Sequence, residues 1–295
     1  MCIRDRGPAA AVSDYMVPLA IGSQTGGSVL RPASFTGILG FKPTFGTISR
    51  SGMSPISQRL DHPGIYANCV EDIDLVASVI LSYDSEDLDM IQNYQYRNDL
   101  NLNKSLKFGF VRGPVWNFGD EDMKQGIEEF VKNAQLDIEE LDLGKDFDDA
   151  AKAHEIIMNG SIANSLMNYY QTDKSNLHPF TIKRIEAGIP VSASDYVSAI
   201  EQAKKMEQIL KQFFLKYDAI ITPAAPCQAP RDLLNTGNAI FNGYWTMMGV
   251  PAISLPFLKG KDDLPIGIQF IANWSEDLKL LEICKYILEK EKLAN

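Results

Sequence analysis

The densest group of chemistry-bearing residues is the stretch Gly22-Ser23-Gln24-Thr25-Gly26-Gly27-Ser28-Val29-Leu30-Arg31-Pro32-Ala33-Ser34-Phe35, which places three glycines and four hydroxyl residues in one short segment. A loop of this composition lets backbone N–H groups approach a ligand closely, because glycine has no Cβ in the way and adopts positive φ angles that turn successive amides inward. Amides gathered in this way stabilise a developing oxyanion, and Ser28, at the end of the loop, is placed to act as an acyl-transfer nucleophile. Several other chemistries lack their residues. No Gly-x-Ser-x-Gly elbow occurs, and no Gly-x-x-x-x-Gly-Lys supplies the lysine of a phosphate-binding loop. His-Glu-x-x-His is absent, and His62, His154 and His178 are scattered, which suits structural or surface roles. A serine nucleophile here needs a base other than histidine.

The elements that must hold this loop can be read on either side of it. Gly7-Pro8 opens a helix that Pro18 ends, and residues 17–21 form a short apolar strand running into the loop. Residues 37–46 and 51–55 are loop and short strand, with glycine or proline every few positions. Helical spacing returns at 71–81, 120–134, 150–171, 194–217 and 275–290. Ser194 is the expected N-cap of the fourth of these, with Tyr196, Ile200, Ala203, Ile209 and Phe213 along its stripe. Strands are expected at 107–111, 218–223, 252–257 and 266–272. Strands interleaved with helices predict an α/β fold, a mixed central β-sheet flanked by helices. Residues 84–104 read as a polar connection, and the acidic stretch 137–149 as a solvated strand and loop rather than a metal site.

With 295 residues, 45% hydrophobic and 22% charged, the chain has enough apolar content to bury a sizeable core. Its net charge of −10, without a run of Lys and Arg, argues against a nucleic-acid partner. Cys2, Cys69, Cys227 and Cys284 are far apart and lack Cys-x-x-Cys spacing, so neither zinc nor a disulfide framework is indicated. No apolar run reaches the roughly 18 residues that span a bilayer, and no secretory h-region opens the chain, which reads as cytoplasmic with no membrane partner. A homodimer stays open.

The loop, together with Gly37, Gly40-Phe41-Lys42-Pro43-Thr44 and Leu60-Asp61-His62-Pro63-Gly64, closely resembles the signature of the amidase signature family. The likeness resumes at Thr222-Pro223-Ala224-Ala225-Pro226, Trp245-Thr246-Met247-Met248-Gly249-Val250-Pro251-Ala252 and Leu264-Pro265-Ile266-Gly267-Ile268-Gln269. It implies the amidase signature fold over residues 7–295, with a variable helical insertion around 84–217. It also implies hydrolysis of a small-molecule carboxamide to carboxylic acid and ammonia or amine, without metal or organic cofactor. By the same resemblance Ser28 is the nucleophile, the amides of Thr25, Gly26, Gly27 and Ser28 form the oxyanion hole, and a relay serine and a neutral lysine complete the triad.

Neither of those last two groups has a counterpart here. Counting back along the family's pattern puts the relay serine at Arg4, in Cys2-Ile3-Arg4-Asp5-Arg6, and the lysine before Met1. Residues 1–6 therefore read as a non-native or misjoined leader. The expectation is a C-terminal portion of an amidase, inactive as written although its full-length parent is active.

Within the resemblance, one alternative is the amidase component of a glutamyl-tRNA amidotransferase, with glutamine as ammonia source and a protein partner. Gln24, and an arginine three rather than two positions after Ser28, favour a general amidase. A different class altogether is a catalytically silent scaffold or binding protein of the same fold. Arg31 is expected to pin the loop by an ion pair rather than contact a substrate carboxylate. Phe241, Tyr244, Trp245, Met247 and Met248 are expected to pack in the core rather than line an acyl pocket.

Overall fold

The structure, a computed structural model, describes residues 2–96, 102, 105–232 and 235–294, and side chains within these for all but 2–5 and 291–294. Of the 1–6 leader only Met1 lies outside the described residues, and its Cys2–Arg6 backbone is part of α1, while part of the 84–104 connection lies outside them. The order begins α1 (Cys2–Ser13), β1 (Leu19–Gln24), α2 (Leu30–Thr36), β2 (Leu39–Lys42), β3 (His62–Ala67), α3 (Val70–Ile80) and β4 (Lys107–Phe110). It continues with α4 (Glu121–Asn133), β5 (Asp137–Glu140), α5 (Ala150–Thr172), α6 (Pro179–Gly188), α7 (Ala193–Phe213) and β6 (Ala219–Pro223). It closes with α8 (Ile240–Met247), β7 (Ala252–Lys259), β8 (Pro265–Ile271) and α9 (Asp277–Ala294). The strands form one eight-stranded sheet, ordered β1-β3-β2-β7-β8-β6-β4-β5. Pairing is antiparallel from β1 to β6 and parallel from β6 through β4 to β5, which makes this the mixed α/β sheet that the sequence predicts.

Burial follows position in the sheet. Every residue of β2 and β6 is buried, Lys42 and Thr222 included, so both strands are covered on both faces. β5 at one margin is mostly exposed and carries acidic side chains, which discourage pairing with another chain. Segment 84–217 carries α4 to α7 and also adds β4 and β5 to the sheet.

Several local expectations are corrected. α1 starts at Cys2 with Pro8 inside it, and it ends at Ser13, where Tyr15 at φ 56° turns the chain before Pro18 is reached. β1 continues to Gln24 instead of stopping at 21, because its Gly22 pairs with Gly64 of β3. α7 is capped by Ser192 rather than Ser194, in a reciprocal capping box with Asp195. Its buried stripe is Ala199, Ala203, Met206 and Leu210. Three short helices, α2, α6 and α8, and the strand β3 lie outside the expected set of elements.

The Gly22–Gly64 pair matters for what lies above it. A Cβ on Gly22 would come within 2.6 Å of the Tyr66 ring, and one on Gly64 within 2.8 Å of Val29. The two glycines thus open a slot in the β1–β3 ladder. Tyr66, fully buried in that slot, reaches the residues that follow β1.

Candidate active site

The loop of residues 25–28 leaves the end of β1 and turns directly into α2, and its shape is set carbonyl by carbonyl. Thr25 O accepts from His154 Nε2 at 3.1 Å, and Gly26 O from Thr246 Oγ1 at 2.6 Å. Gly27 O accepts from Arg31 N at 2.9 Å, and Ser28 O from the Tyr66 hydroxyl at 2.6 Å. In a trans peptide the C=O and the following N–H point in opposite directions, so a held carbonyl also aims the next amide. The amides of Gly26, Gly27 and Ser28 are aimed in this way, and among the described residues neither they nor the Thr25 amide meet an internal acceptor.

The amides just beyond are treated differently. Gln24 Oε1 accepts from Val29 N at 2.8 Å and Leu30 N at 3.0 Å, satisfying donors at the start of α2 that the N-cap residue Val29 cannot serve. Its other side-chain atom, Nε2, donates to Thr246 Oγ1 at 2.9 Å. Buried backbone N–H groups are almost always paired, so the amides of buried Gly26 and Gly27, left without acceptors beside others that Gln24 caps, are free to donate to a ligand oxygen.

The reason for glycine in this loop differs from the sequence-based one. Neither Gly26 nor Gly27 has a positive φ. At Gly27 the requirement is space: a Cβ would collide with Asn242 and lie 2.8 Å from Ala239 Cβ. At Gly26 the nearest atom to such a Cβ would be His154 Cε1 at 3.5 Å, an ordinary contact.

Ser28 is half-buried at the loop's end, and among the described residues its hydroxyl has no hydrogen-bond partner. The titratable groups on or near the signature segments, and the third histidine, each have partners of their own. Asp61 accepts from Thr25 Oγ1 at 2.6 Å with one oxygen and from the Ile56 and Ser57 amides with the other. Lys42 is fully buried, donates to Pro43 O and Val250 O, and is pushed down to about 7 by that burial. His62 bonds Leu60 O through Nδ1, and burial holds it well below the ordinary histidine range. His178 caps α6 by accepting from Phe180 N.

His154 is a neighbour of the loop that the sequence did not reveal, since only the tertiary fold brings it to Thr25. Phe241, Tyr244, Trp245, Met247 and Met248 are all buried in the core, as expected. Arg31 is buried as well. A cleft of about 800 Å³ runs up to Asp61 between the 50–61 and 86–89 segments on one side and α5 and α7 on the other. Arg50 stands in its wall, held by Asp87 and Asp89, whose hydrogen bonds raise the guanidinium pKa and lower that of Asp87.

The family model described as Amidase matches residues 7–281, and the chain belongs to the amidase signature family. It is 30% identical over 328 aligned residues to a glutamyl-tRNA(Gln) amidotransferase subunit of Agathobacter rectalis, covering 97% of this chain and 64% of that protein. The chain therefore spans about 64% of the length of that curated relative. Identity to the corresponding protein of Mycoplasma genitalium is 29%, over 94% of this chain and 67% of that protein. Among solved structures, the fold matches 6-aminohexanoate cyclic dimer hydrolase with a TM-score of 0.82 at 21% identity, covering 97% of this chain and 67% of that one. It matches the glutamyl-tRNA(Gln) amidotransferase subunit of Thermotoga maritima with a TM-score of 0.73 at 27% identity, covering 93% and 63%. Among the described residues no helix is long and apolar enough to cross a membrane.

Proposed function

We propose that this chain carries the nucleophile and the oxyanion cradle of a site that cleaves a carboxamide through an acyl-enzyme. Ser28 Oγ forms a bond to the amide carbonyl carbon, and its proton passes by way of a base to the departing nitrogen. The carbonyl oxygen, now negative, lies among the amides of Thr25, Gly26, Gly27 and Ser28. The C–N bond breaks, ammonia or an amine leaves, and water releases the acid from Ser28. The reading rests on one observation above the rest: these amides have no internal acceptor, while the carbonyls of residues 25–28 are each held by a donor. The base is assigned to no residue of this chain.

The test, made on a chain that also carries the relay serine and lysine the family supplies, is reaction with an activated fluorophosphonate followed by peptide mapping. Ser28 is the expected modified residue, and labelling disappears in Ser28→Ala. Labelling that survives this substitution removes Ser28 from the role, and an unreactive Ser28 favours a silent scaffold of the same fold.

A second reading is favoured by the curated relatives, which are amidotransferase subunits. In it the amide is that of glutamine and the released ammonia is passed to a partner's reaction. Ammonia release from glutamine, compared with release from simple aliphatic and aromatic amides, separates the two.

A further inference from the structure

We infer that His154 is a positioning residue of the cradle: its Nε2–H holds the Thr25 carbonyl and thereby aims the Gly26 amide at the reacting oxygen. The inference rests on the acyl-enzyme reading above. The ring comes from α5, 129 residues from Thr25, and is wedged between two glycines. A Cβ on Gly243 of α8 would lie 2.7 Å from Nδ1, and one on Gly26 would lie 3.5 Å from Cε1. Only a bare backbone on the α8 side lets the imidazole sit this close, so the ring has little room to turn.

The contact has a direction. A carbonyl oxygen only accepts, so Nε2 must carry the proton, which makes the neutral ring the Nε2–H tautomer. Residue 25 is then held twice, by His154 at its carbonyl and by Asp61 at its hydroxyl. The Thr25–Gly26 peptide needs such a hold because glycine accepts either orientation of a flipped peptide at little steric cost. The neighbouring carbonyl of Gly27 is held from within α2, but that of Thr25 depends on a side chain from a distant helix.

The experiment uses the full chain, labelled with 15N, titrated with benzoate as a carboxylate probe of the cradle. Shifts at the Gly26, Gly27 and Ser28 amides report binding, and ring 15N resonances report the tautomer. In His154→Phe, which keeps a ring and loses the donor, benzoate affinity is expected to fall about tenfold, the worth of one hydrogen bond, with Gly26 losing most of its shift. His154→Gln, whose side-chain amide can donate to the same carbonyl, is expected to recover affinity to within about threefold of the original.

Unchanged benzoate binding in His154→Phe overturns the inference and leaves the cradle standing. An Nδ1–H tautomer in the unsubstituted protein overturns it without recourse to any variant. If benzoate shifts none of the three amides in the unsubstituted protein, there is no cradle to position and both readings fall.

Discussion

Gln24 and Thr246, separated by 222 residues of chain, meet at 2.9 Å through Gln24 Nε2 and Thr246 Oγ1. The pair closes a circuit. Gln24 takes up the Val29 and Leu30 amides, and Thr246 holds the Gly26 carbonyl, so one contact joins both ends of the loop to α8. This gives Gln24 a role in shaping the loop whatever the substrate is. Thr246→Val keeps the volume but strips the hydroxyl from this circuit. Urea unfolding should show a loss of about 1–3 kcal/mol, the penalty for unpaired buried polar groups. Fluorophosphonate labelling of Ser28 should slow by about 100-fold, comparable with losing one oxyanion donor, and Thr246→Ser should recover most of both.

The two adjacent glycines of the loop should differ in tolerance. Gly27→Ala drives a methyl into Asn242 and Ala239 and should cost about 1–3 kcal/mol by overpacking, with Ser28 labelling strongly reduced. Gly26→Ala meets only an ordinary contact with His154 and should unfold close to the parent. Equal losses at the two positions, read from thermal melts, would contradict the geometry.

Tyr66 serves the sheet with its ring and the loop with its hydroxyl. Tyr66→Phe keeps the slot over Gly22 filled and leaves the Ser28 carbonyl without its donor. A loss of about 1–3 kcal/mol is expected, seen as a lowered urea midpoint with an unchanged slope.

Lys42 predicts a pH dependence with a definite sign. Burial lowers its pKa from 10.5 to about 7, so between these values the unfolded chain holds a proton that the folded chain does not. Stability from this group therefore rises with pH across that window, by at most about 1.4 kcal/mol per unit, and is flat below it. Lys42→Met removes the titration while leaving the Pro43 and Val250 carbonyls short of a donor at every pH. Urea unfolding of the two proteins from about pH 6 to 10 should give a difference that is constant below about pH 7 and then grows in favour of the parent. Parallel curves would contradict a buried, neutral Lys42.

The long elements were legible because their apolar residues repeat with a clear period. α3, α4, α5 and α9 and the strands β4, β6, β7 and β8 lie near the expected positions. The short elements were not. α2 contains Pro32 and lies between glycines, β3 carries Pro63 and Gly64 in its first half, and α8 is buried on nearly every side and so shows no polar face. The N-cap of α7 falls two residues before the expected one because Ser192 and Ser194 both precede the apolar stripe. At the site, Ser28 and its amides stand out from composition alone. The donors that hold them, His154, Thr246 and Tyr66, are ordinary residues in the sequence, and only their arrangement in space distinguishes them.

The strand order also bears on how the polypeptide acquires this shape as it is made. β2 lies between β3 and β7, so the meander of β1, β3 and β2 joins the rest of the sheet only through a strand that begins at Ala252. Until that strand leaves the ribosome, nascent residues 19–67 have an open apolar edge and the loop lacks its hold from Thr246. Contacts this distant in sequence close slowly and leave exposed edges open to aggregation. Refolding of the full chain should therefore be slow and helped by chaperones, with the cradle among the last parts to form.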